Sequence, residues 1–328
     1  MRFALTEEQH GFARSLDDLL AGADVPAASR AWGSGQPDAG LKLWRRLADL
    51  GVHALCIPEA AGGLSAEPID VVVAFEQLGR HLVPGPYIES VVLAPALLSA
   101  AGYDAAWQAL AEGTEIVTVS APPATPFALD ADIATRTLLL DHGSLTWASV
   151  GKLHRSVDRS RRLFTVSSGD HVATLADSPI GSGLDAATLA CAAQLLGAGE
   201  RLLSESVEYT KARKQFGRVI GEFQALKHAM ADVRVALDFA RPLIYGAALS
   251  VQAGSADAPR DVSAAKVAVS DAAHLAARTA LQMHGAIGYT EEYDLGLWIT
   301  KVRALVGAWG STSAHRARVL AAIAGQNS

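Results

Sequence analysis

The sequence predicts a mainly helical protein with a small β unit at its centre. Up to about Gly113 apolar residues recur every three or four positions, and from Leu184 onward an alanine-rich helical pattern resumes. Between them, from Thr114 to Pro179, lie short β-like runs separated by Pro, Gly, Asp and Ser. The expected organisation is an N-terminal helical domain over 1–113, a shortened β domain over 114–181 and a C-terminal helical bundle over 182–328.

The first helix is signalled by Thr6 and Gln9, which have the spacing of a capping box, followed by Phe12, Leu16 and Leu19 on one face. Leu43, Leu47 and Leu50 form a second stripe that Gly51 ends as a C-cap, and a third helix is expected from Asp70 to Leu78. The runs Val117 to Val119, Thr135 to Leu140 and Leu163 to Val166 read as strands. Further on, Phe223, Leu226, Met230, Val233 and Leu237 step by three and four, as do Val262, Ala265, Val269, Ala276, Ala280 and Met283. Long antiparallel helices follow from this, with Gly254 to Arg260 as a loop between two of them. Faces this broad and rich in small residues predict an oligomer.

Composition excludes several classes. The 328 residues are 50% hydrophobic and 19% charged, with a net charge of -6, which favours neither disorder nor a nucleic-acid partner. No apolar run reaches the roughly 20 residues of a membrane span, and Met1 to His10 lacks a signal-peptide pattern, so a cytoplasmic location is expected. The two cysteines, Cys56 and Cys191, sit in apolar stretches and read as small core residues, not as disulfide partners or metal ligands.

Three segments carry more specific information. The first joins Leu5-Thr-Glu-Glu-Gln9, Leu43-Trp44, Leu50-Gly51, Ile57-Pro58-Glu59-Ala-Ala-Gly62-Gly63 and Phe75-Glu76-Gln77-Leu78-Gly79-Arg80. The second is Tyr209-Thr-Lys-Ala-Arg213-Lys-Gln215-Phe216-Gly217, continued by Phe223-Gln224 and Ala231-Asp232, and the third is Gln282-Met-His284-Gly285-Ala-Ile-Gly288-Tyr289 with Glu292-Tyr293 after it. In this order the segments resemble the acyl-CoA dehydrogenase family across nearly the whole chain. The resemblance implies an N-terminal helical bundle, a reduced β-barrel unit and a C-terminal four-helix bundle.

The resemblance also implies FAD, whose nucleotide end in this family reaches into a neighbouring subunit. Arg213 would pair with the pyrophosphate, its planar fork matching phosphate oxygens, while Gln215, Phe216 and Gln224 would line the same stretch. Gln282, Gly285 and Ala286 would form a close backbone approach, although the family more often has a second glycine where this chain has Ala286. Taken alone, Arg213 and Lys214 read equally as basic residues at a helix C-terminus, and His284 reads as a packed histidine.

The family's reaction needs a carboxylate to take an α-proton from a CoA thioester. The usual glutamate position falls on Trp309, which accepts no proton, and the alternative position on the first long C-terminal helix falls on Ala187. The arginine expected just beyond it falls on Thr188, and the β unit offers no counterpart of the strands that cradle the isoalloxazine ring, Trp147 and Lys152 being isolated.

This pattern resembles the short, non-catalytic subunits of the heterotetrameric actinobacterial acyl-CoA dehydrogenases of steroid degradation. It implies FAD shared with a longer catalytic subunit, an acyl-CoA substrate in the complex, and electron-transfer flavoprotein or a similar acceptor. Three alternatives compete with it: a complete homo-oligomer using a displaced carboxylate such as Asp185 or Glu292, a flavin-dependent oxidase or monooxygenase, and an interaction subunit without flavin contact.

Overall fold

A computed structural model describes residues 4–290 and 293–325. Helix α1 (Glu7–Ala21) begins on the expected capping box: Gln9 N–H donates to Thr6 Oγ1 and Thr6 N–H to Gln9 Oε1. α2 (Val25–Gly33) is capped by Asp24, and α3 (Asp38–Asp49) ends before Gly51, whose φ of 82° is the left-handed turn a glycine accepts freely. α4 (Pro68–Arg80) exceeds its expected span by two residues at each end. A π-helical stretch, Ile88–Leu93, then leads into α5 (Ala94–Ala100) and α6 (Trp107–Ala111).

The sheet has five strands: β1 (Val117–Ser120), β2 (Ala128–Leu129), β3 (Arg136–Asp141), β4 (Ser144–Arg155) and β5 (Arg162–Thr174), in the order β1-β3-β4-β5-β2. Only β1 and β3 run parallel. Sequence reading places β1 and β3 but shortens β5 and misses β4. The cause is visible in the hairpin: Ser149 to Leu153 are all exposed, so no apolar alternation marks the strand.

Five helices complete the chain: α7 (Asp177–Ala212), α8 (Gln224–Gln252), α9 (Ala258–His284), α10 (Leu295–Gly307) and α11 (Thr312–Gly325). α7 starts seven residues before Leu184, with Pro179 in its first turn, where the missing N–H costs no intrahelical bond. α9 likewise starts inside the stretch expected as loop. α7 is the central rod, buried along much of its length against α4, α8, α9 and α10.

Its crossing with α4 brings backbone against backbone. A Cβ on Gly79 would lie 2.0 Å from Gln194 O, and one on Gly197 1.9 Å from Glu76 O. The main apolar cluster runs from Leu16 and Trp44 through Val117 and Leu138 to Leu196 and Val302, and a small second one joins Ala128, Ala131 and Phe164. Among the described residues no helix is long and apolar enough to cross a membrane, and no group of three or more His, Cys, Asp or Glu could hold a metal ion.

Candidate functional site

The residue that follows one expected base position reaches the other. Ala187 is fully buried on α7, and its neighbour Thr188 places Oγ1 3.5 Å from the carbonyl oxygen of Trp309. Trp309 is 2% exposed and has a φ of 57°, followed by Gly310 at 99°. The turn is held from three sides. His315 on α11 donates from Nε2 to Trp309 O at 2.9 Å, which leaves Nδ1 of the neutral ring to accept from Ser263 Oγ of α9 at 3.2 Å. Burial lowers the His315 pKa, favouring that neutral ring. A Cβ on Gly310 would sit 2.6 Å from His315 Nε2, so the turn accepts only glycine there.

Below the turn, Lys266 is fully buried and donates to Leu305 O at 2.7 Å, capping the C-terminal end of α10 with a cation. Burial lowers its pKa. The site thus contains a tryptophan, a threonine, an alanine and a histidine with both nitrogens engaged. None of these is a carboxylate.

The nearby carboxylate weighed as a displaced base is also committed. Asp185 is 5% exposed and both its oxygens are taken by the Arg318 guanidinium, one of them at 2.9 Å from Nη2. Glu292, the other candidate, lies outside the described residues.

Where the end of α4, the sheet and the C-terminal helices meet, the space is closed by side chains. Leu78, Leu82, Leu129, Arg161, Gln194 and Lys301 line a cavity of about 10 Å³ there, room for one water and far short of a ring system. Beside it, Lys301 Nζ lies 2.9 Å from Asp158 Oδ2 and 2.9 Å from Ser160 Oγ. Burial opposes ionisation of Asp158, but the Lys301 ammonium outweighs it and leaves the carboxyl below its usual range. Two other buried acids lack such a cation at contact distance. Burial pushes Glu89, on the π-helical stretch, up to about 7, and does the same to Asp130. Sequence reading missed all three acids, because nothing local distinguishes a buried acid from a solvated one.

The residues expected at the nucleotide end of a cofactor are, by contrast, open to solvent at the ends of α7, α8 and α9. Arg213 is the C-cap residue of α7, a basic side chain at a helix C-terminus. Lys214–Gln215 and Arg218–Val219 form a short hairpin (β6 and β7) whose tip is Phe216, 90% exposed at a φ of 51°. Gln224 opens α8, and Gln282, Gly285 and Ala286 surround the end of α9; all are exposed. Gly285 adopts φ 61° and ψ -137°, a conformation restricted to glycine, and a Cβ there would meet nothing within 4 Å. The ends of α7 and α9 are joined by a stack of Tyr209 on His284, with ring centroids 4.2 Å apart. His284 is therefore packed, not presented to the surface.

Cys191 is fully buried as expected, whereas Cys56 is only half-buried, and burial still pushes its thiol up to about 12, away from thiolate chemistry.

Comparison with known proteins fits this architecture. The sequence profile of the acyl-CoA dehydrogenase N-terminal domain matches residues 6–110, and that of the C-terminal domain matches residues 180–324. The chain is 36% identical over 299 residues to acyl-CoA dehydrogenase IpdE2 of Mycobacterium tuberculosis, covering 90% of this chain and 91% of that one. It is 35% identical to its namesake from Mycolicibacterium smegmatis, covering 90% and 93%. Among solved structures, the Mycobacterium tuberculosis ChsE4-ChsE5 complex superposes with a TM-score of 0.86 at 23% identity, covering 99% of both chains. The Tcur3481-Tcur3483 steroid acyl-CoA dehydrogenase superposes at 0.88 with 22% identity, covering 98% and 99%. Two family domains in order around a sheet, and a relative above one-third identity along nine-tenths of the chain, establish that this protein belongs to the acyl-CoA dehydrogenase family.

Proposed function

We propose that this chain is the base-deficient member of a heteromeric FAD-dependent acyl-CoA dehydrogenase and lends nucleotide contacts to a longer, catalytic partner. The observation that carries this reading is the contrast between two sites in one molecule. The turn where a proton acceptor belongs is filled by Trp309 and Thr188, while the arc from Arg213 to Ala286 stands open at the surface.

The residues fit one end of the cofactor and not the other. Arg213 offers a two-pronged donor for pyrophosphate oxygens, Gln224 and Gln282 offer amides, and Gly285 and Ala286 leave backbone accessible. In this reading the ring pocket and the α-proton base belong to the partner: the turn at Trp309 holds no carboxylate, and the cavity of about 10 Å³ beside Lys301 is too small for a ring system. Bound FAD supplies the hydride acceptor for α,β-dehydrogenation of a CoA thioester. This chain binds and orients; the proton is moved elsewhere.

Two of the fold neighbours are two-component assemblies, one described as a steroid enzyme, and they supply the pattern for a heterotetramer acting on a steroid-derived CoA ester. The test is Arg213→Ala in the complex purified from its native host. Loss of a charged hydrogen bond worth roughly 1.5 to 3 kcal/mol is expected to weaken FAD binding at least tenfold. Unchanged FAD affinity would favour an interaction subunit without flavin contact.

A further inference from the structure

The proposed nucleotide arc is built from two chain segments far apart in sequence, and the structure shows what fixes one against the other. Arg213 stands one helical turn after Tyr209 on α7; Gly285 directly follows His284 on α9. The Tyr209 and His284 rings are stacked at an interplanar angle of 28°, so the contact lies immediately beneath both arms of the arc.

The imidazole is itself held in one orientation. Nδ1 lies 2.8 Å from Ala280 O, an acceptor only, so Nδ1 carries the proton and donates. In the neutral ring Nε2 is then an acceptor, and the Tyr293 hydroxyl lies 3.4 Å from it with the rings 5.3 Å apart. His284 is thus clasped between a tyrosine of α7 and the tyrosine that precedes α10. It is 4% exposed, whereas Gly285 and Ala286 beside it are exposed.

We infer that His284 is a positioning residue that locks the Arg213 arm and the Gly285 arm of the arc into one register through its stack on Tyr209. This rests on the reading of the arc as a nucleotide site. An unstacked His284 leaves α9 free to rotate its C-terminal turn and so to shift the Gly285 backbone relative to Arg213. The Tyr209 hydroxyl takes no part, since stacking needs only the ring.

The test uses the purified complex and FAD itself, with flavin fluorescence reporting dissociation. Tyr209→Phe, which keeps the ring, is expected to release FAD at the wild-type rate. Tyr209→Leu is expected to release it about five to ten times faster, and His284→Leu, which removes the other ring of the stack, by a similar factor. Amide hydrogen exchange of residues 285–288 in the chain alone is expected to accelerate in Tyr209→Leu and in His284→Leu but not in Tyr209→Phe. Arg213→Ala separates the two ideas. If it speeds release while Tyr209→Leu and His284→Leu do not, the clamp is wrong. If Arg213→Ala also has no effect, the cofactor reading fails, and unchanged exchange in Tyr209→Leu then overturns the clamp on its own. Should Tyr209→Leu fail to fold, His284→Leu decides by the same two readouts.

Discussion

Thr188 on α7 and Trp309 at the end of α10 touch, hydroxyl to carbonyl, at 3.5 Å. The contact joins one expected base position, Trp309, to the residue that follows the other, Ala187. In this chain a buried indole, a methyl and a hydroxyl stand at these positions. In the proposed reading the missing base is therefore a feature of one region of the fold.

Restoring a carboxylate alone does not restore chemistry. Trp309→Glu is expected to show no acyl-CoA dehydrogenation in the isolated chain, because in the proposed reading the partner supplies the ring pocket. It is also expected to lower stability by about 3 kcal/mol or more, since it removes a large buried aromatic and buries an acid. A dye-reduction assay with acyl-CoA and a denaturant midpoint measure the two effects.

Asp185 separates the competing enzyme readings. Asp185→Asn breaks its fork with Arg318, a side chain 40% exposed, so a loss of only about 1 to 3 kcal/mol is expected once solvent screening is allowed for. Turnover of the complex is expected to stay unchanged. Abolished turnover with FAD still bound would make Asp185 the displaced base.

The α4–α7 crossing is predicted to be the least tolerant point of the fold. Gly197→Ala puts a methyl 1.9 Å from Glu76 O and 2.7 Å from the Arg80 backbone nitrogen, neither of which can move without displacing a helix. A loss above about 3 kcal/mol, or insoluble expression, is expected. Gly325→Ala, with nothing near its Cβ, serves as the neutral control.

Glu89 gives a pH signature. Its folded pKa of about 7 lies above the ordinary value of 4.5, so between those values the folded chain keeps a proton that the unfolded chain has released. The Glu89 contribution is therefore fully present below about 4.5 and lost as pH rises to about 7. Glu89→Gln, which never ionises, is expected to gain on wild type by on the order of 2 to 3 kcal/mol across that window and to stay level above it. Urea melts at pH 4.5, 6 and 8 read this directly; a constant difference would contradict it.

What the sequence made legible was local or periodic. The Thr6 and Gln9 capping box, the Gly51 stop and the buried stripe of α9 depend on neighbours three or four residues apart, and the structure holds them as read. The family segments picked out Arg213, Gln224 and Gly285, which the structure leaves exposed at the ends of α7, α8 and α9. The hairpin of β4 and β5 was hidden because both faces of its middle are exposed, which erases the alternation that marks a strand. The partners of Trp309 were hidden for another reason. His315, Ser263 and Lys266 acquire their roles only when α9, α10 and α11 pack, and no spacing along the chain announces it. The sequence offers Asp185 as a displaced carboxylate and holds no sign that Arg318, 133 residues later, takes both its oxygens.

The central claim is that one flavin is held between unlike chains, this one supplying the nucleotide side. Its most direct test is the flavin content and mass of the assembly isolated from the native host, set beside the chain purified alone. One FAD per unlike pair, with a longer homologous chain present and little flavin on this chain by itself, is the result the account predicts. A yellow, active assembly made only of copies of this chain would contradict it.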